Sequence, residues 1–261
     1  MKNKKSHSLS KSQEEVKRIK FLDISIDIIT KNKCFSEVEK FLQSEDYHYQ
    51  ISINIAKIVD AQKNLKLKNI INNSDIINSD GKPVEISARI ISGSKVDRMG
   101  GLDYIEGLAR NFKDNKYYFL GAEDHIIKKV VEHYKNNYSM NIVGYRNGYF
   151  SSSELPDIIN DINNSGAEIL FIGMGTPDKE YLLDYFREKL NVKFAVGVGG
   201  AFDIIAGKTK RAPIFLQKIS LEWAYRVYQE PGRLWKRYAR TNIAFIWLLF
   251  KSLFYYKNKG E

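Results

Sequence analysis

Apolar residues along this chain come in short runs separated by amphipathic stretches. Runs rich in β-branched and aromatic residues occur over 49–55 (YQISINI), 70–77, 117–121 (YYFLG), 140–145 (MNIVGY), 168–174 (EILFIGM) and 193–199 (KFAVGVG), each of strand length. Helical patterns fall between them, over 36–42, 56–65, 103–112, 125–134, 155–163 and 179–190, and residues 19–29 (IKFLDISIDII) read as a first strand or strand-helix entry. Apolar runs of this length alternating with helices predict a parallel sheet covered on both faces, an open doubly wound α/β domain. The rhythm stops after residue 206.

In such sheets ligands sit at the carboxyl ends of the strands, so the turns there are the place to look for chemistry. Four are loaded: Asp80-Gly81, Gly121-Ala122, 173–177 with Gly175, and 197–203 with Gly199, Gly200 and Asp203. Glycines let backbone approach phosphates, and the helix N-termini that follow favour negative charge, so a nucleotide is the natural ligand. No G-x-G-x-x-G opens the first βα turn and no G-x-x-x-x-G-K-[ST] occurs, so dinucleotide and P-loop readings lose their warrant. Any one glycine turn can be purely structural; four at the same end carry more weight.

Composition adds limits. With 261 residues, 43% of them hydrophobic and 28% charged, the chain can bury a sizeable core and is not a disordered protein. Residues 1–18 read as a flexible basic N-terminus with no apolar core of a signal peptide. The single cysteine, Cys34, fits a reducing cytosol and reads as packing rather than as a nucleophile.

The charge is unevenly placed. Residues 207–261 hold 12 Lys or Arg and 3 Glu, a balance of +9 out of the chain's +10. On a helix after Pro231, Arg233, Arg237 and Arg240 fall within about 60° of one another, flanked by Trp235 and Tyr238. Residues 243–256 (IAFIWLLFKSLFYY) then carry one Lys and one Ser among mostly large apolar side chains. That is too much grease for a nucleic-acid tail and shorter than the roughly 20 apolar residues of a bilayer span. An interfacial anchor on an anionic membrane surface uses both halves of the pattern; a solvated basic face and burial at a homo-oligomer interface are the plainer alternatives. The organisation expected is a Rossmann-like domain over 19–206 and a C-terminal helical, membrane-associating appendage over 207–261.

With these turns and this tail laid out, the chain resembles the WecG/TagA/CpsF glycosyltransferase family, also called glycosyltransferase family 26. The likeness runs over residues 51–238 and is densest in NSDGKPV, DRMGGLDYIEGL, FLGA, ILFIGMGTPDKEYLL, VGVGGAFDIIAGKTKRAP and LEWAYRVYQEPGRLWKRY. The resemblance implies inverting transfer of a sugar from a UDP-sugar donor to a sugar carried on undecaprenyl diphosphate. It also implies a peripheral position on the cytoplasmic face of a bacterial membrane, in polysaccharide or teichoic acid assembly. Asp80 stands at the family's Asp-Gly position and is the expected base, since an inverting transfer needs a group to take the acceptor hydroxyl proton; Asp-Gly is equally an ordinary turn pair. Ser52 and Asn54 occupy a Thr-x-Asn position, with the hydroxyl kept, and are expected to bind a sugar. Arg98 can pair with a diphosphate, the plainer reading being a salt bridge with Asp97 or Asp103.

One departure matters. Where the family commonly reads Pro-Lys-Gln-Glu, this chain has Pro177-Asp178-Lys179-Glu180. Lys179 still donates to a phosphate or sugar oxygen, but the amide acceptor is gone. Asp203 is read as orienting the nucleotide or as capping the next helix. No D-x-D pair occurs and the histidines at 7, 48, 125 and 133 lack ligand spacing, so catalysis without metal or cofactor is expected. Lys210, Arg211, Arg226, Arg233, Arg237 and Arg240 would then supply positive charge to a diphosphate. A non-catalytic partner that presents a lipid-linked intermediate is the alternative function.

Overall fold

A computed structural model describes residues 16–219 and 221–257; the side chains of Lys218, Arg233, Arg237 and 249–257 lie outside that description, as do the first fifteen residues of the expected N-terminal extension. The chain opens with β1 (Arg18–Phe21) and β2 (Ile24–Asp27), an antiparallel hairpin of its own. Leu22 and Asp23 turn it with φ of 52° and 60°, the left-handed pair that matches strand twist in a two-residue hairpin. Helix α1 (Lys31–Gln43), capped by Thr30, leads to β3 (His48–Ile53). Then come α2 (Ile55–Lys63), α3 (Leu65–Asn72), β4 (Ile76–Ser79), α4 (Lys82–Ser92) and α5 (Gly101–Asn111). The alternation continues with β5 (Lys116–Gly121), α6 (Asp124–Tyr138), β6 (Asn141–Arg146), α7 (Leu155–Ser165), β7 (Ile169–Gly173), α8 (Asp178–Tyr185) and β8 (Phe194–Gly197). Helices α9 (Ala201–Ile205), α10 (Ile214–Lys218), α11 (Glu222–Gln229) and α12 (Pro231–Lys257) complete it.

Six strands form one parallel sheet in the order β4-β3-β8-β7-β5-β6. Its faces are read off the strand period of two. Tyr118 and Leu120 of β5 and Leu170 and Ile172 of β7 enter the layer with α2, α3, α4, α7 and α8. Their neighbours Tyr117, Phe119, Ile169 and Phe171 enter the layer with α1, α5, α6 and α9. The fold is the α/β sheet with helices on both faces that the apolar runs predict. The hairpin guards an edge: the Ile77 amide donates to Asp27 Oδ2 at 2.7 Å, and Arg18 Nε reaches Asp27 Oδ1 at 2.7 Å.

Two expectations need correction, and one helix was not expected. Residues 70–77 are not one strand, because Ile70 and Ile71 belong to α3 and the strand begins at Ile76; two adjacent buried isoleucines fit a helix face as well as a strand. Helix α4 occupies residues to which the sequence pattern assigned no element. The helix expected over 179–190 ends at Tyr185.

Past α9 the chain returns across the sheet's carboxyl edge, and α12 lies against α2 with Phe245 buried and edge-on to Phe21 at 6.1 Å. Among the described residues no helix is long and apolar enough to cross a membrane. Close approach fixes where α5 meets β8: a Cβ on Gly101 would stand 2.2 Å from the Val198 carbonyl oxygen. That neighbour is backbone and cannot swing aside. Gly101→Ala is expected to cost about 1–3 kcal/mol or more, measured as a lowered denaturation midpoint.

Candidate active site

The carboxyl ends of the strands open into a cleft of about 580 Å³. Of the residues singled out from sequence, Ser52, Asn54, Asp80, Arg98, Gly175, Lys179, Gly199, Gly200, Asp203, Arg211 and Arg226 all line it. Gly121 stands apart: its Cα packs on Gly173, where a Cβ would come within 2.5 Å of the carbonyl oxygen, so its role is to let β5 and β7 meet. Arg240 points elsewhere, 3.6 Å from Asp60 and largely exposed. The Arg233 and Arg237 side chains lie outside the described residues.

Asp80 follows directly on β4, its amide bonded to the Ile53 carbonyl at 2.7 Å. The carboxyl lies beside Gly100, the N-cap of α5, where a Cβ would come within 2.9 Å of Oδ1; glycine there makes the room. Burial raises the Asp80 pKa above the ordinary aspartate value, opposed by the charges of Arg226, Lys57 and Arg98 and reinforced by Glu222. Among the described residues nothing donates a hydrogen bond to this carboxyl, so its oxygens are open to a ligand.

Behind it lies a buried ionic group that the sequence reading missed. Lys57 Nζ and Lys179 Nζ each sit 2.8 Å from Glu180 Oε1, all three side chains being at most 9% exposed. Lys57 also donates to the Ser52 carbonyl at 2.5 Å, and Lys179 contacts the Thr176 hydroxyl. Burial, then repulsion from Lys57, lowers the Lys179 pKa to about 8 against the pull of Glu180. Burial would raise Glu180, but the two ammonium groups hold it at about 2. Among the described residues Glu180 Oε2 has no hydrogen-bond partner.

Other side chains are committed locally. The Ser52 hydroxyl accepts from Gln50 Nε2 at 2.7 Å and lies 3.3 Å from both Asn78 Oδ1 and the Met99 carbonyl. Asn54 caps α2 through Oδ1, accepting from the Lys57 amide at 3.0 Å, which leaves its amide nitrogen for a ligand. Asp203 lies inside the first turn of α9 rather than capping it, 3.8 Å from Lys208 Nζ. Cys34 is buried against the Tyr104 hydroxyl with its thiol pushed up to about 12, as inert packing requires.

The partner of Arg98 is a second surprise: not Asp97 or Asp103 but Glu222 of α11, in direct contact. That pair, with Asp80, Asn54, Arg226 and Tyr238, lines both the large cleft and an adjoining pocket of about 140 Å³. The walls differ. Polar groups and glycine turns surround the large compartment, whereas Ile55, Ala56, Pro83, Val84 and Trp223 contribute to the small one. Two compartments thus meet at Asp80 and the Arg98–Glu222 pair. Among the described residues no three His, Cys, Asp or Glu side chains converge as a metal site.

Residues 19–259 match the model of the glycosyl transferase WecG/TagA/CpsF family. One relative is an N-acetylglucosaminyldiphosphoundecaprenol N-acetyl-beta-D-mannosaminyltransferase of Bacillus spizizenii. It is 30% identical over 181 residues, 68% of this chain and 69% of the relative.

If Asp80 must be ionised to act, its raised pKa places the acid limb of kcat/KM above the ordinary aspartate value of about 3.9. Arg226 is the largest of the charges that lower it. Arg226→Gln is therefore expected to move that limb to still higher pH, and a pH–rate profile of the two proteins checks it.

Proposed function

This chain belongs to the WecG/TagA/CpsF glycosyltransferase family, and from that premise we propose that it moves a sugar from a UDP-sugar to a sugar carried on undecaprenyl diphosphate, inverting the anomeric carbon. The observation that carries the reading is Asp80, a carboxylate at the junction of a large polar compartment and a small, partly apolar one, with no ion pair of its own among the described residues, whereas Glu222 beside it is held by Arg98. The nucleotide donor fits the first, where Gly199 and Gly200 give backbone room and α9 begins. The acceptor's sugar fits the second, beside the appendage.

In this reaction the acceptor oxygen bonds to the anomeric carbon as its proton passes to Asp80. The bond to the diphosphate breaks with its electron pair leaving on UDP. Charge building there is met by fixed cations, Arg98 and Arg226 at the junction and Lys179 in the floor. Asn54 offers its amide nitrogen to a sugar hydroxyl, and Asp203 and Gly175 bound the donor side. Ser52, whose hydroxyl is already engaged by the protein, acts by holding this floor in shape.

Residues 207–261 form the membrane-associating appendage in this reading, and the protein works from the inner face of the cell membrane. The relative, by its name, acts on N-acetylglucosaminyldiphosphoundecaprenol. The identity of the donor sugar is left to the product: purified protein is incubated with a panel of UDP-sugars and an undecaprenyl-diphosphate-sugar, and the product mass is read. One sugar residue added to the lipid is expected, with Asp80→Asn slower by about 100- to 10,000-fold. Undiminished turnover of that variant would favour the presenting-partner reading instead.

The appendage gives a second expectation. Because Glu222, Arg226 and Tyr238 line the reaction compartments, a chain lacking residues 207–261 should fail even on a short-chain soluble acceptor. Full activity of that chain would make the appendage an anchor only.

A further inference from the structure

Helix α4 exposes isoleucine where a surface helix ordinarily shows polar residues. Val84, Glu85 and Ala88 turn inward, while Ile86, Ile90 and Ile91 are 45%, 77% and 49% exposed. A lone exposed isoleucine is unremarkable; three on one three-turn helix are a patch, and a patch asks for a partner.

The position of the patch names that partner. Pro83, Ile86 and Ile90 fall within about 60° of arc on α4, and Pro83 lines the small compartment beside Asp80. The apolar stripe therefore starts at that pocket's wall and runs away from it for about 10 Å, at 1.5 Å of rise per residue. Across the pocket stands Trp223 of α11, half-exposed and 5.9 Å from the Tyr238 ring. The preceding α10 shows Ile214 and Phe215 to solvent, and Ile219 just after it is exposed too. Apolar surface thus borders the small pocket on two sides, and one side belongs to the core domain rather than to the appendage.

We propose that the isoleucine face of α4 is a second lipid-contacting surface, seated in the bilayer when a lipid-linked acceptor occupies the small pocket. The inference rests on the acceptor assignment above. An acceptor whose head group lies beside Asp80 must lead its hydrocarbon out past the pocket's wall, and α4 offers it apolar cover there. Lys82 and Arg89 share Glu85, at 2.8 Å each, and lie together along one edge of the stripe. The helix so presents a basic edge beside an apolar one, a pattern that suits a phosphate-bearing surface.

The test uses the full chain. Ile90→Cys is labelled with an environment-sensitive fluorophore; Cys34 is buried and does not compete. Vesicles of phosphatidylethanolamine and phosphatidylglycerol should shift the emission to the blue, while a label at Lys135→Cys should not move; no shift at position 90 would overturn the proposal. In parallel, Ile86→Glu/Ile90→Glu is expected to lower vesicle binding at least fivefold and turnover of the undecaprenyl acceptor in vesicles at least tenfold. Turnover of a short-chain soluble acceptor should stay within twofold. Equal loss on both acceptors, or conversion of a lipid-free dimer to monomer by the double substitution, would count against lipid, the latter in favour of a second copy of this chain. Wild-type turnover of the soluble acceptor reports on the proposed function by itself, so a failure there is distinguishable from a failure here.

Discussion

A carboxylate at the floor of a cleft is costly to keep ionised, and the site is built around offsetting that cost. Desolvation pushes Asp80 toward its neutral form, and the cations that oppose it come from three separate parts of the chain: Lys57 of α2, Arg98 of the loop before α5, and Arg226 of α11. The balance therefore requires the sheet, the helices behind it and the C-terminal appendage to be in place together. A turn aspartate in open water has no such dependence.

The lysines carry that coupling deeper. Two ammonium groups sharing one carboxylate oxygen leave Lys57, Lys179 and Glu180 with a net positive charge, and Asp80 is the next acid within electrostatic reach. The four together are neutral only while Asp80 is ionised. A proton arriving on Asp80 uncovers one positive charge in the cleft floor. In the proposed transfer that is the moment at which the diphosphate acquires its negative charge, so proton uptake and leaving-group stabilisation are linked through the same buried group.

Much of the sheet is legible in the sequence because buried parallel strands leave little freedom: YYFLG, EILFIGM and KFAVGVG are apolar on both faces and bounded by glycine. What stayed hidden was whatever depended on partners far along the chain. Ile70 and Ile71 satisfy a helix or a strand until the neighbouring layer decides between them. Glycine turns identified the cleft's edge, yet Gly121 is not among the residues that line it, and only the Gly173 carbonyl oxygen, which a Cβ would approach to 2.5 Å, shows why it lacks a side chain. Arg98 and Glu222 are 124 residues apart, and no spacing rule joins them. Lys57 lies one helical turn beyond Asn54, a signal that was present but indistinguishable from an ordinary solvated lysine. The family resemblance reached Asp80, Arg98 and Arg226 because motifs record residue identity; it was silent on Lys57, whose importance is a matter of depth.

The appendage settles how the parts are divided. Glu222, Arg226 and Tyr238 line both compartments, so the segment with most of the chain's net positive charge also walls the candidate site. Its α12 packs along α2, with Phe245 and Leu248 in the same apolar cluster as Ile58 and Val59 of that helix, and α2 carries both the Asn54 cap and Lys57. A displacement of α12 would therefore be felt first at the helix whose N-terminus faces the substrate and whose lysine steadies Glu180. In the proposed reading, lipid contact by the appendage and catalytic electrostatics are not separate tasks given to separate domains, because the helix pair α2 and α12 joins them.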